Sequence, residues 1–173
     1  MRGSIEVHRY LTERQIPHEF YRLGRPLRNI NEVAALLDLL PSQVVTAELF
    51  EGKTTPVLVL VPAGVCPSVA NVARTSGETR IRPATHSRVT EHTGFLAGWL
   101  PPVGHERASR VILDADLAEV DVLYAAGGDH GVMLVLRADD LIRATAATVA
   151  PLAGAFDEPV EPADAVGGTL LAG

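Results

Sequence analysis

Two apolar runs, residues 43–50 and 56–62, flank the stretch Glu51-Gly52-Lys53-Thr54. Runs of that length with a glycine-containing break between them predict a β-hairpin in the middle of the chain. A second pair, residues 122–126 and 132–136, flanks Gly127-Gly128-Asp129-His130-Gly131 and predicts another hairpin. Antiparallel pairs of this kind, interspersed with helical segments, argue for a mixed sheet and against strict βαβ alternation.

The helical segments follow from periodicity and caps. Residues 5–14 place Val7, Tyr10 and Leu11 on one face. Residues 29–37 form a helix that Asn29 caps and Glu32, three residues on, closes as a capping box, with Pro41 ending the unit. Residues 68–75 start beside Pro67 and stop before Gly77. Residues 85–92 are stopped by Gly94, and residues 138–145 form the last helix. Short strands are expected over residues 18–23, 79–82 and 111–113. Residues 1–150 read as one domain. Residues 151–173 are acidic and rich in Gly and Pro, and read as a loosely held extension.

Composition excludes several classes. The 173 residues, 47% of them hydrophobic, suit one ordinary domain. Cys66 is the single cysteine, so no intramolecular disulfide is possible, which fits a reducing, cytoplasmic setting. The longest apolar run, residues 57–65, is broken by Pro62 and is too short to span a bilayer. The net charge of −6 speaks against broad nucleic-acid binding, DNA included. The charge is nevertheless uneven. Residues 1–110 carry 13 basic and 10 acidic side chains, so an anionic ligand would meet the first two thirds of the chain.

Several motifs fail on inspection. Gly52-Lys53-Thr54 lacks the earlier glycine of a phosphate loop, Ala47 standing there, and it leads into a strand. The 127–131 glycines lack a dinucleotide loop's first glycine and again precede a strand. His86 and His92, six residues apart, point about 120° apart on a helix and cannot grip one metal ion together. Asp114 and Asp116 suit a strand-end turn better than a catalytic carboxylate pair.

The most unusual segment is Gly98-Trp99-Leu100-Pro101-Pro102-Val103-Gly104. Glycine lets a backbone approach a ligand, and proline stiffens the chain around it. Such a loop can aim N–H groups at a carbonyl oxygen that becomes anionic during acyl transfer. On composition alone, a structural connection stiffened by prolines is the plainer reading.

The order of segments resembles the YbaK/prolyl-tRNA-synthetase-associated family over about residues 4–147. Carrying the resemblance are Glu32-Val33-Ala34-Ala35, then Gln43-Val44-Val45 with its hairpin partner ending Val61-Pro62. Next come residues 87–94, the Gly-x-x-x-Pro loop from Gly98 to Pro102 with Gly104 beyond, residues 126–131, and Asp139-Asp140-Leu141. The resemblance implies an α+β fold around a mixed, curved, barrel-like sheet of about six to seven strands. It also implies hydrolysis of the ester joining a wrong amino acid to the 3′ end of tRNA, with no metal or other cofactor. Gly98, Pro102 and the residue at position 46 become the catalytic candidates. Trp99, Leu100, Pro101, Gly104, Gly127 and Gly128 become substrate-binding candidates.

One position departs from the family. A lysine usually follows the strand that begins Gln-Val-Val, and here Thr46 stands there. Threonine offers a hydroxyl where lysine offers a compact positive charge. Arg25, Arg28 and Arg82 are arginines that could compensate. Two functions follow: a freestanding aminoacyl-tRNA deacylase, or a weak or inactive member that binds aminoacyl-tRNA, a nucleotide-like ligand or a protein partner.

Overall fold

The computed structural model describes residues 1–154. Two sheets pack face to face with helices at their margins. The chain runs α1 (Ser4–Glu13), β1 (Glu19–Arg22), α2 (Glu32–Leu36), a 3-10 turn (Pro41–Gln43), β2 (Val45–Glu51) and β3 (Val57–Pro62). It continues with α3 (Val69–Ser76), β4 (Arg82–Pro83), α4 (His86–Thr93), β5 (Arg110–Asp114) and α5 (Ala115–Ala118). It ends with β6 (Val122–Ala126), β7 (Val132–Arg137), α6 (Ala138–Thr145) and β8 (Thr148–Ala150).

The larger sheet has the order β4-β2-β3-β5-β8 and the smaller one β1-β7-β6. In the larger sheet β2 and β3 form the antiparallel hairpin, while β3–β5 and β5–β8 are parallel, so the sheet is mixed as expected. The strand count differs from the expected six to seven in one barrel-like sheet. Eight strands divide between two sheets, joined by a lone parallel bridge between Val44 and Tyr124, and no closed barrel forms among the described residues. One bridge cannot carry the ladder from β2 to β6, and β4 pairs with β2 only at Phe50 and Glu51. Residues 45–49 of β2 therefore lie along an open sheet margin.

Burial explains the layers. Val57 to Val61 of β3 are all fully or almost fully buried, because this strand has a core on each face. Leu58 and Leu60 face the smaller sheet, packing in one cluster with Val45 and Leu49 of β2, Leu123 of β6 and Leu134 of β7. Val57, Val59 and Val61 face outward, under Val72 of α3 and Leu152. Trp99 anchors a third cluster with Ile30, Val33, Val44 and Met133.

The C-terminal stops of α3 and α4 are the expected ones, Gly77 and Gly94 ending the helices in the left-handed region. At their N-termini Ser68 and Thr85, expected inside the helices, stand as caps and accept from backbone N–H groups three residues on. Helix α2 does not use the expected capping box. It begins at Glu32, Asn29 accepts from the Asn31 N–H, and the Glu32 carboxylate accepts from the Arg28 N–H. The strand expected over residues 79–82 shrinks to Arg82–Pro83.

The extension expected from residue 151 begins with ordered contacts. Leu152 is fully buried, and Pro67 bridges to Ala153. From residue 155 onward it lies outside the described residues. No helix among the described residues is long and apolar enough to cross a membrane.

Candidate functional site

The open margin of β2 forms one wall of a pocket of about 290 Å³. Thr46, Ala47, Glu48 and Leu49 line it from the strand. Asn29 to Asn31 close one side, and Pro83, Ala84 and His86 close another. Ala97, Gly98 and Leu100 come from the loop after α4. Leu49, Val89 and Leu100 also belong to the main core, so the floor of the pocket is apolar and rigid.

The loop is built to expose Gly98. Gly98 has φ +85°, and a Cβ placed there would meet no atom within 4 Å. Its carbonyl accepts from the Ile30 N–H at 3.4 Å, which ties the loop to the segment before α2. Beyond it the chain turns inward. Trp99, Leu100, Pro101, Pro102, Val103 and Gly104 are all buried. The His105 Nε2–H donates to the Pro101 carbonyl at 2.7 Å and closes this segment as a loop.

His105 gives the loop a pH dependence. Burial pushes its imidazole down to about 4, from an ordinary value of 6.5. Between those values the unfolded chain binds a proton that the native chain refuses. Stability is therefore complete above about pH 6.5 and is lost as the pH falls towards about 4. Allowing for solvent at this part-buried ring, the loss should be about 1–3 kcal/mol. Urea unfolding at pH 7 and pH 5 measures it, and His105→Gln should flatten the difference between the two.

The polar wall comes from β2. The Thr46 hydroxyl donates to Asn31 Oδ1 at 3.0 Å, leaving its lone pairs free to accept. Side chains alternate along a strand, so Glu48 shares a face with Thr46. Burial holds the Glu48 carboxyl above its usual range. No hydrogen bond or ion pair engages it among the described residues.

The structure thus brings Thr46, Gly98 and Leu100 to one pocket. It does not bring the other candidates there. Trp99 is 4% exposed and packs inside its own core cluster, its ring 5.3 Å from that of His130. Pro101 and Pro102 are buried behind the pocket. Gly104 lies against the backbone of Val7. The Gly127 N–H donates across the β6–β7 turn to Val132, and Gly128 packs against the backbone of Gly3 and Ser4. Arg25 and Arg28 are exposed outside the pocket; Arg25 lines a separate apolar groove with Tyr21 and Tyr124. Arg82 pairs with Glu51 at 3.3 Å, next to the pocket-lining Pro83.

Asn31 and Glu48 were not singled out by sequence, and His86 was considered only for a metal. For Glu48 a signal existed: it lies two residues beyond Thr46 on the same strand face. Asn31 reaches the pocket only through tertiary packing of the 29–31 segment.

Comparison with solved structures places this geometry in a known context. The chain is 28% identical to a proposed trans-editing enzyme for prolyl-tRNA synthetase, with a TM-score of 0.79 over 87% of this chain and 96% of that one. It also shares its fold with the hypothetical protein APE2540, at 24% identity and TM-score 0.80, over 86% of this chain and 99% of that one. The model of the aminoacyl-tRNA editing domain matches residues 25–144, which hold β2, the Gly98 loop and every residue lining the pocket. The chain belongs to the aminoacyl-tRNA editing domain family.

Proposed function

We propose that this chain is a freestanding deacylase that hydrolyses the ester of mischarged aminoacyl-tRNA in the Thr46–Gly98 pocket. The observation that carries the reading is the exposed Gly98 backbone facing open space in the same pocket as a strand hydroxyl. Water adds to the ester carbonyl, whose oxygen becomes anionic. The acyl C–O bond then breaks and the ribose hydroxyl leaves with a proton. The loop backbone at Gly98 meets the developing oxyanion. Thr46, already donating to Asn31, accepts from the attacking water or from the neighbouring ribose hydroxyl. In this reading water and the chain's own groups carry the reaction, and the protein works where tRNA is charged, in the cytoplasm.

The charge distribution supports the same reading. Lys53, Arg80 and Arg82, the last paired with Glu51 in the same wall, border a shallow cleft that adjoins the pocket through Pro83. These cations suit the phosphates of a tRNA acceptor end, while the pocket itself takes the acylated tip.

A second reading is a binding member that has lost the chemistry. It is favoured by Thr46 in place of the family's lysine and by the absence of any Lys or Arg among the pocket-lining residues. Hydrolysis of a panel of tRNAs mischarged with Ala, Cys, Ser and Pro decides between the two. A deacylase releases at least one acyl group faster than buffer alone. Thr46→Ala should slow that release about tenfold, the loss of one hydrogen bond at the reacting centre. A wild type inert towards the whole panel that still binds an aminoacyl-adenosine analogue would establish the second reading.

A further inference from the structure

We infer that the Glu48 carboxylate is the binding site for the free α-ammonium group of the acyl moiety, so that this pocket selects esters of unblocked amino acids. The inference rests on the deacylase reading and names what the same pocket recognises.

The argument starts from charge. Of the side chains lining the pocket, Glu48 is the only one formally charged at pH 7; His86 is the other titratable group. A carboxylate withdrawn from water without a cation or donors is unfavourable. Glu51, three residues on, shows the alternative, because Arg82 and Arg88 both pair with it, Arg88 at 2.7 Å. Glu48 has no such partner among the described residues, and burial alone holds its carboxyl above the usual range. Half-buried in the wall of the pocket and without a protein cation, this carboxylate stands open to a cation that the ligand brings.

Shape selects which cation. The pocket is about 290 Å³ with an apolar floor of Leu49, Val89 and Leu100. A short acyl side chain fits that floor. The ester carbonyl reaches the Gly98 loop on one side, and the ammonium on the adjacent carbon reaches the β2 wall. Alternation puts Glu48 and Thr46 on one side of that strand, where they pair with Val59 and Val61, and Leu49 on the other, so the two polar contacts come together at the open edge of β2 beside the apolar floor. A charge-assisted hydrogen bond from ammonium to carboxylate is roughly twice as strong as a neutral one. The same pocket repels phosphate, which leaves the nucleic-acid backbone to the Lys53–Arg80–Arg82 cleft.

The test is calorimetric titration of the full chain with adenosine carrying alanine through a non-hydrolysable 3′-amide. The comparison ligands are its N-acetyl derivative and its lactyl counterpart, in which a hydroxyl replaces the amine. Wild type should bind the free-amine ligand at least about tenfold more tightly than either of the others. Glu48→Gln, nearly isosteric, should bring the three affinities within about threefold of one another, chiefly by weakening the free-amine ligand. Equal binding of all three ligands by wild type overturns the inference without any variant. A preference that survives in Glu48→Gln overturns it too. If mischarged tRNA is hydrolysed but N-acetylated alanyl-tRNA is hydrolysed equally fast, the inference fails and the deacylase reading stands. If no ligand binds and no mischarged tRNA is hydrolysed, both fail.

Discussion

Gly98→Val should stay folded and lose at least about hundredfold in kcat/KM for mischarged tRNA. Two effects separate here. Gly98 sits at φ +85°, where a β-branched residue carries strain of about 1–3 kcal/mol. Against a typical domain stability of about 5–15 kcal/mol that strain is survivable. The second effect is the larger one for chemistry. No atom lies within 4 Å of a Cβ built on Gly98, so the valine methyls would stand in space the ester needs. Losing one backbone contact to an oxyanion costs about 3 kcal/mol of transition-state stabilisation, or roughly a hundredfold in rate. Gly98→Asn isolates the steric part, since asparagine tolerates the left-handed region better than most residues. It should melt close to wild type and remain nearly inactive. A Gly98→Asn protein with undiminished deacylation would mean that close backbone approach is not needed, and the role assigned to the loop would fall.

The elements that sequence revealed are those with a local cause. The β2–β3 hairpin follows from two apolar runs around Glu51-Gly52-Lys53-Thr54, and its register, Val45 opposite Pro62 to Phe50 opposite Val57, closes on that turn. Helices α3 and α4 are bracketed by Ser68 and Gly77, and by Thr85 and Gly94, residues whose side chains or backbone freedom end helices anywhere. Not every element that escaped has a local cause. β8, Thr148–Ala150, is a strand because β5 offers it a parallel edge. α5, Ala115–Ala118, is a single local turn capped by Asp114, at the strand-end turn expected for Asp114 and Asp116. The split into two sheets depends on where β2 stops being paired, which no local pattern encodes. The site divides the same way. Gly98 and Thr46 were legible through the resemblance of ordered segments, and both reach the pocket. Trp99, a candidate through the same resemblance, fills a core cluster and does not line the pocket. Gly104 and Gly128, candidates on the same ground, lie against α1 and the chain before it, a placement that only tertiary packing decides.

Asp114→Ala should be the most destabilising single substitution among the described residues outside the apolar core. Asp114 is 2% exposed and ends β5. Its Oδ1 accepts from the Asp116 N–H at 2.9 Å, capping α5. Its Oδ2 accepts from the N–H groups of Leu152 and Ala153 at 2.9 and 3.1 Å. One carboxylate therefore stitches the end of β5, and the turn of α5 that follows it directly, to the chain after β8. Alanine removes both acceptor oxygens and with them all three hydrogen bonds, and leaves backbone donors stranded in a region where Leu152 is fully buried. A lost helix cap costs about 1 kcal/mol, and hydrogen bonds to a charged group about 1.5–3 kcal/mol each, not fully additive. The sum is about 3–5 kcal/mol, a drop in Tm of roughly 10 °C for a chain of this size. Asp114→Asn keeps one acceptor oxygen but turns an NH2 group towards N–H donors, so it should fall about midway. Thermal unfolding of the three proteins at neutral pH gives the ranking. If Asp114→Ala melts within about 2 °C of wild type, the chain after β8 is not anchored through this carboxylate, and the burial of Leu152 must be sustained by its apolar cluster with Val72 and Ile112, by the Ser68 N–H that donates to its carbonyl and by the Pro67–Ala153 bridge.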